Sequence, residues 1–226
     1  MMHKAILFDL DGTLVDTAPD LAAATDYALQ SAGRPAIGLD AVRQMVGDGA
    51  RALLERGFQV TGGMPSQDIF EAAVAALYVY YEDHLADTSR PFPGVVTSLA
   101  NLAENGYALA VCTNKLERFS RELLQRLGLD GFFGAVVGGD TLSVRKPDPG
   151  HVRGTVEKLG EKLGKQIGWA AMVGDSAYDV NAAQAAGLPC IAVSFGYTRI
   201  PARELGADRL IDHFAELPDA IAELGG

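Results

Sequence analysis

The chain has 226 residues, of which 48% are hydrophobic, 21% charged and 8% aromatic, which is enough apolar surface for a packed core and argues against intrinsic disorder. Nineteen Lys and Arg residues against 29 Asp and Glu residues give a formal net charge of -10, the wrong sign for neutralising the phosphates of nucleic acids or an anionic membrane. We therefore expect one or two folded domains that bind neither nucleic acid nor membranes.

Short apolar runs alternate along the chain with longer segments of helical periodicity, a pattern typical of a parallel sheet with crossover helices. The predicted strands are Ala5–Phe8, Ala108–Cys112, Ala135–Val137, Ala170–Val173, Cys190–Val193 and Arg209–Ile211. Three predicted helices each precede a glycine of the kind that ends helices: Val95–Asn105, Arg118–Leu127 and Ala177–Ala186. These segments predict an α/β fold.

One part of the chain breaks the alternation, because no strand is predicted between Thr17 and about Thr88. It holds four Ala- and Leu-rich helical segments instead, Asp20–Ser31, Asp40–Val46, Gly49–Arg56 and Gln67–His84. We predict an all-helical insert over residues 17–89 in a discontinuous α/β core of residues 1–16 and 90–226. The insert follows the first strand, so it lies beside the sheet edge at which open α/β proteins bind ligands.

Two aspartates end the first predicted strand, in the segment FDLDGT. Strands normally exclude aspartate, and the spacing of Asp9 and Asp11 lets both carboxylates face one side before Gly12 turns the chain. A single aspartate often ends a strand for structural reasons alone. Two at this spacing, followed by Gly-Thr, favour a functional site.

A second acidic pair, Asp175 and Asp179, follows a later strand in the segment GDSAYD. Acidic residues at a helix start can act as caps or interact with the helix dipole, so this pair alone is weak evidence. Both pairs, however, follow strands of one parallel sheet, and two like charges about 5 Å apart repel by about 3 kcal/mol at an effective dielectric constant near 20. Such a cluster needs a cation, and its oxygen ligands point to Mg²⁺ rather than zinc.

Groups suited to an anionic substrate follow other strands. Thr113 and Asn114 come directly after the second predicted strand and offer a hydroxyl and backbone N–H groups to a phosphate oxygen. Lys146 precedes a proline, and Asp148 and Pro149 look like the N-cap and first residue of the next helix. A loop lysine is usually just solvated, but this setting favours a positioned charge.

Four segments in this order, FDLDGTL, VCTN, KPDP and VGDSAYD, resemble the motifs of the haloacid dehalogenase superfamily of phosphohydrolases. The resemblance covers the whole chain, and the strings FDLDGTLVDTAPDLAAA, VGDGA and VCTNK are most similar to those of phosphoglycolate phosphatases. It implies a Rossmann-like parallel sheet core with an inserted all-helical cap domain. It also implies a Mg²⁺-dependent phosphatase of a small phosphorylated metabolite, with 2-phosphoglycolate the best single substrate.

The resemblance also implies roles for the acidic residues. Asp9 would be the nucleophile that forms an aspartyl-phosphate, and Asp11 would protonate the leaving alkoxide and then take a proton from the hydrolytic water. Mg²⁺ would be held by the Asp9 carboxylate, the Asp11 backbone carbonyl and the Asp175 carboxylate. Asp179 would orient water or a neighbouring lysine from outside these ligands.

The resemblance assigns the phosphoryl oxygens to Thr113, the Asn114 backbone and Lys146, which would stabilise the charge of the transition state. An aspartate at position 11 favours a phosphatase, since the dehalogenases of the superfamily lack it. Two alternatives stay open. One is a phosphomutase that returns the phosphoryl group to a sugar; the other is a non-enzymatic, receiver-like phosphoacceptor domain, although its acceptor would follow the third strand rather than the first.

Specificity in this superfamily is expected to come from the cap. Residues 47–49, Gly-Asp-Gly, could close over a small substrate with Arg51 as partner of a carboxylate, but glycines between helices serve equally well as plain connectors. Tyr78, Tyr80 and Tyr81 are expected to pack between cap helices. No role is assigned to the four histidines, His3, His84, His151 and His213.

The sequence has no apolar run of the roughly 18 residues that span a membrane and no secretory pattern at its start. Cys112 and Cys190 are far apart and lie in apolar runs, which favours buried thiols over a disulfide or a zinc site. We expect a cytoplasmic protein, and the sequence leaves monomer and homodimer open.

Overall fold

The structure is a computed structural model that describes residues 3–226, and its centre is a six-stranded parallel sheet. The strands of the described chain are His3–Phe8 (β1), Val15–Asp16 (β2), Arg90–Pro91 (β3), Ala108–Cys112 (β4), Ala135–Val137 (β5), Ile167–Gly174 (β6), Cys190–Val193 (β7) and Arg209–Ile211 (β8). The sheet has the order β5-β4-β1-β6-β7-β8. The predicted α/β fold is confirmed, and four of the six predicted strands have the predicted bounds.

Strand β1 lies in the middle of the sheet, and this position explains why its sequence is apolar from Ala5 to Phe8. Ile6 and Phe8 pack into the core on one face, whereas Ala5 and Leu7 pack into the core on the other, and all four are fully buried. A strand covered by helices on both faces has no solvent-facing positions, so its sequence is a continuous apolar run rather than an alternating one.

The helices that cover the sheet and form the insert are Ala18–Ser31 (α1), Gly38–Arg43 (α2), Ala50–Val60 (α3), Gln67–Asp83 (α4), Val95–Glu104 (α5), Glu117–Arg126 (α6), Pro149–Leu163 (α7), Ala177–Ala186 (α8) and Leu217–Glu223 (α9). Most predicted helix ends lie within two residues of the observed ones, and the larger differences are that α2 ends at Arg43 instead of Val46 and that α3 continues to Val60 instead of ending at Arg56. The glycine at position 57 does not end α3, because it lies in a close contact where a Cβ would come within 3.1 Å of Leu29 Cδ1.

The chain enters and leaves the helical insert through two segments held side by side. Strands β2 and β3 pair antiparallel, and the buried carboxylate of Asp20 accepts hydrogen bonds from the backbone N–H and the hydroxyl of both Thr88 and Ser89. Between these segments α1 packs against α2, α3 and α4. The bounds of the core, 1–16 and 90–226, and of the cap, 17–89, remain predictions. None of the helices within residues 3–226 is long and apolar enough to cross a membrane.

Candidate active site

The predicted site residues lie together at one edge of the sheet because three neighbouring strands end there. Asp9 follows β1, Thr113 follows β4 and Asp175 follows β6, and in the sheet β1 lies between the other two strands. Parallel strands end at the same edge, so side chains more than 160 positions apart in sequence come together.

Three aspartates at this edge form a buried acidic cluster. One ligand oxygen from each of Asp9, Asp175 and Asp179 lies within 4.8 Å of the others, and none of the three residues is more than 6% exposed. Burial, assisted by the neighbouring carboxylates and opposed by Lys146, raises the pKa of Asp9 to about 6. Burial together with Asp179 and Asp9 raises the pKa of Asp175 well above its usual range. The carboxylates therefore repel one another and favour a bound cation.

Lys146 lies among these carboxylates and is only 1% exposed. Its Nζ lies 3.0 Å from Asp9 Oδ1 and 2.6 Å from Asp179 Oδ1. Burial alone would lower the pKa of Lys146, but the two carboxylates outweigh it and hold the pKa above its ordinary value. The Asp148 side chain caps α7 by accepting the Gly150 N–H at 2.7 Å. The lysine predicted to be a positioned charge is thus buried against the acidic cluster.

The backbone at Gly12 and at Tyr197 lies directly against the carboxylate of Asp175. Gly12 has a φ of +85°, and a Cβ at this position would lie 2.3 Å from Asp175 Oδ2. The Tyr197 N–H donates to the same oxygen at 2.6 Å. The sequence segment around Tyr197 carried no recognisable signal, because its contribution to the site is a backbone group that almost any residue supplies.

Asp179 caps the start of α8 and also contacts the buried lysine, the two roles considered for it from sequence. Its Oδ2 accepts the Ser176 N–H at 3.0 Å and the Ser176 hydroxyl at 2.7 Å, as expected of an acidic residue in the first turn of a helix. Its Oδ1 accepts from Lys146. Asp179 therefore connects the start of α8 to the lysine of the acidic cluster.

Thr113 and Asn114 border the cluster on the β4 side, and both are buried. The Thr113 hydroxyl accepts the Lys115 N–H at 3.3 Å, which leaves its proton available for a ligand oxygen. The Asn114 side chain donates to the Lys146 carbonyl at 3.0 Å and to the Gly47 carbonyl at 3.1 Å. The sequence analysis considered only the Asn114 backbone. The Asn114 side chain, however, connects the loop that carries Lys146 to the helical insert.

Lys115 is a site residue that the sequence reasoning missed. Its Nζ lies 3.1 Å from Asp11 Oδ1 and donates to the Tyr81 hydroxyl at 2.6 Å. Tyr81 belongs to α4, and its ring also packs edge-on against Phe119 of α6. Tyr81 was expected to pack between cap helices, and it also contacts two residues outside the insert. The segment VCTNK contained the signal, but a lysine next to a motif is indistinguishable in sequence from a solvated one.

The charged residues expected to set specificity, Asp48 and Arg51, each pair with other residues of the chain. The guanidinium of Arg51 forms a two-point ion pair with the exposed Glu71, so in this structure it contacts a carboxylate of its own chain. Asp48 pairs with Arg56 at 3.0 Å and with Arg145 at 3.3 Å. The Gly47 carbonyl accepts from the Asn114 side chain, so the 47–49 segment reaches the edge of the site, and its role in closing over a substrate stays a prediction.

Comparison with known proteins agrees with this geometry. A family model described as haloacid dehalogenase-like hydrolase matches residues 6–193. The chain belongs to this family. A phosphoglycolate phosphatase of Caulobacter vibrioides is 46% identical over 97% of this chain and 91% of its own length, and one of Agrobacterium fabrum is 42% identical over 96% of this chain and 91% of its own.

Among solved structures, a predicted phosphoglycolate phosphatase from Haemophilus somnus matches with a TM-score of 0.89 and 32% identity, over 98% of this chain and 99% of the other. These matches confirm the family inferred from the four motifs. They also confirm the predicted enzyme class, a phosphoric monoester hydrolase similar to the phosphoglycolate phosphatases.

Proposed function

We propose that this hydrolase removes the phosphoryl group of 2-phosphoglycolate, with Mg²⁺ as cofactor and an aspartyl-phosphate as intermediate. The observation that carries the proposal is the position of Lys146 Nζ, 3.0 Å from the carboxylate of Asp9, beside two further buried carboxylates. This arrangement combines a carboxylate nucleophile with a fixed positive charge for the phosphoryl oxygens. The similarity to phosphoglycolate phosphatases supports the choice of substrate.

The acidic cluster fits a bound Mg²⁺. Carboxylate oxygens of Asp9 and Asp175 lie close enough to share one ion. Burial and the neighbouring carboxylates raise the pKa of both groups in spite of Lys146, so a further cation between them would be favourable. Both carboxylate oxygens of Asp179 already accept hydrogen bonds, Oδ1 from Lys146 and Oδ2 from Ser176, which supports a role in orientation rather than in ligation. When bound, the ion would neutralise charge on the nucleophile and on the phosphoryl oxygens. The Asp9 and Asp175 carboxylates and the Asp11 backbone carbonyl would hold it.

The residues of this chain supply the covalent steps. A carboxylate oxygen of Asp9 attacks phosphorus as the bond to the ester oxygen breaks, and Asp11 donates its proton to the departing alkoxide. Asp11 then takes a proton from a water molecule, whose oxygen attacks the phosphorus of the aspartyl-phosphate. The P–O bond to Asp9 breaks, which releases inorganic phosphate and restores the free carboxylate.

The phosphoryl oxygens would be held by Thr113, Asn114 and Lys146. The Thr113 hydroxyl proton and the backbone N–H of Asn114 are donors, and Lys146 adds a charge that the surrounding carboxylates keep protonated. Because all three are buried, their interactions with a transition state are screened little by water.

The test is release of inorganic phosphate from 2-phosphoglycolate with Mg²⁺, compared with the same protein in chelator. A panel of sugar phosphates and pyrophosphate examines the substrate choice. The proposal would be contradicted if the enzyme turned over none of these compounds. A phosphomutase would instead yield an isomerised sugar phosphate with little free phosphate, and a receiver-like domain would retain the phosphoryl group on Asp9.

A further inference from the structure

Lys115 lies at the boundary between the sheet edge and the helical insert, and we propose that it binds the carboxylate of the substrate. This inference rests on the proposed function and adds to it the residue that recognises the acid group. The substrate class is a phosphate monoester that carries a carboxylate on the carbon next to its ester oxygen. Lys115 would select such compounds over neutral esters of the same length.

Burial distinguishes the charge of Lys115 from the other cationic side chains of the cavity. Three cationic side chains line the cavity between the sheet edge and the insert: Arg51, Lys115 and Arg145. The side chains of Arg51 and Arg145 are 47% and 49% exposed and pair with Glu71 and Asp48. The Lys115 side chain is only 5% exposed, so its field on a ligand is screened least.

The ammonium group of Lys115 shares its donors with a carboxylate that a ligand could partly replace. Its three N–H donors lie within hydrogen-bond distance of the Tyr81 hydroxyl, at 2.6 Å, and of both Asp11 oxygens, at 3.1 and 3.3 Å, so a ligand carboxylate would take the N–H that faces the more distant Asp11 oxygen. Burial alone would lower the pKa of Lys115, but Asp11 and Tyr81 outweigh it and keep the pKa above its ordinary value. Burial also raises the pKa of Tyr81 to about 12, so the tyrosine contributes a neutral dipole and no negative charge.

The proposed role of Asp11 as proton donor indicates that the substrate carboxylate would lie near Lys115. To protonate the leaving alkoxide, Asp11 must lie within hydrogen-bond distance of the ester oxygen. In 2-phosphoglycolate the carboxylate oxygens are three bonds from that ester oxygen. Lys115 Nζ lies 3.1 Å from the Asp11 carboxylate, so an ester oxygen beside Asp11 brings the substrate carboxylate to the same ammonium.

Tyr81 positions this ammonium from the helical insert. Its hydroxyl accepts from Lys115 Nζ at 2.6 Å, and the ammonium also lies 4.6 Å from the centroid of its ring. Tyr81 is 1% exposed, so the packing of α4 fixes where the ammonium points. The insert thereby positions a recognition group on the loop that follows β4.

The experiment compares 2-phosphoglycolate with ethyl phosphate, in which a methyl group replaces the carboxylate. In Lys115→Met we expect the ratio of the two kcat/KM values, acid over neutral, to fall by about ten- to a hundredfold, since a charge-assisted hydrogen bond is lost. Tyr81→Phe should lower the ratio less. Arg51→Gln is the matched control, which also removes a cavity cation and should leave the ratio within about threefold of its wild-type value, as expected of an exposed ion pair.

Binding gives a readout that does not depend on turnover. With Mg²⁺ and an Asp9→Asn background, calorimetry would compare 3-phosphonopropionate with propylphosphonate, a non-hydrolysable pair that again differs by one carboxylate. Adding Lys115→Met should remove most of the preference for the acid. If Lys115→Met does not fold, Lys115→Gln, which is neutral but still a donor, should show the same fall.

Different results separate the inference from the proposed function. A wild-type preference for 2-phosphoglycolate that Lys115→Met or Lys115→Gln retains overturns the role of Lys115 alone. A preference that Arg51→Gln abolishes instead assigns the carboxylate to the insert and likewise overturns it. A wild-type enzyme that hydrolyses ethyl phosphate as readily as 2-phosphoglycolate overturns the proposed substrate itself.

Discussion

The sheet side and the insert side both carry ion pairs, but in opposite settings. On the sheet side, Lys146 and the carboxylates around it are nearly inaccessible to water. On the insert side, Arg51 pairs with Glu71, and where the insert meets the core Glu82 of α4 pairs with Arg118 of α6; all four side chains are close to half exposed. A buried charge that loses its partner destabilises the folded state strongly, whereas water screens an exposed ion pair, so that loss of a partner there costs little free energy. The chemistry is therefore expected to depend on the sheet side far more than on the surface pairs.

The largest effect is expected for the nucleophile. Asp9→Asn should reduce kcat by at least about 10,000-fold, because an amide does not form the phosphorylated intermediate. The variant should fold normally, since the change removes one of the mutually repelling carboxylates. Phosphate release and circular dichroism measure the two parts. Substantial retained turnover would show that another residue is the nucleophile.

The buried lysine should dominate stability as well as activity. Lys146→Met leaves Asp9 and Asp179 without their shared cation, and breaking such a buried pair costs about 3 to 5 kcal/mol of the free energy of unfolding. Arg118→Met is the matched control, because it also removes a cation from an ion pair but at an exposed position, and it should shift the denaturation midpoint little. Equal shifts in urea titrations would contradict the contrast between the two sides.

Metal binding should stabilise the protein in a pH-dependent way. The pKa of Asp9 is about 6 in the folded protein, above its ordinary value of 3.8, so the metal-free folded state binds more protons than the unfolded chain between these pH values. Its stability from this group therefore falls as pH rises from about 4 to 6. Mg²⁺ removes the repulsion and competes with protons, so it should raise the thermal midpoint more at pH 7.5 than at pH 5.

The size of this effect depends on concentration: Mg²⁺ at a hundred times its Kd corresponds to about 2.7 kcal/mol. Asp175→Asn serves as the control and should lose most of the stabilisation. A shift in thermal midpoint that is the same at both pH values, or that persists in Asp175→Asn, would place the ion elsewhere.

The smallest effect is expected where the two sides meet. Asn114→Ala removes two buried hydrogen bonds, to the Gly47 and Lys146 carbonyls, and should cost about 1 to 2 kcal/mol of the free energy of unfolding. Its backbone N–H remains, so KM should rise more than kcat falls. Steady-state kinetics would check this, and a kcat loss as large as that of Asp9→Asn would show that the side chain takes part in the chemistry.

The sheet was predictable because its signals are local. The run Ala108–Cys112 and the run Cys190–Val193 have the predicted bounds, since a short apolar segment between turn residues has few other ways to bury itself. The same locality misled the prediction for α3. Gly57 reads as a helix breaker, yet it lies inside the helix because Leu29 of α1 packs against the space where a side chain would be.

The sequence by itself determined the strands, the helical insert and the order of motifs that places Asp9, Thr113 and Asp175 at strand ends, because apolar periodicity and turn chemistry act over neighbouring residues. Only the tertiary structure decided which charges meet. Lys115 and Tyr81 are 34 positions apart and lie on different parts of the fold, and Arg51 is directed to Glu71 by helix packing. A charge has the same letter in a sequence whether it is buried or exposed, and its energetic value is set by how much water its neighbours exclude.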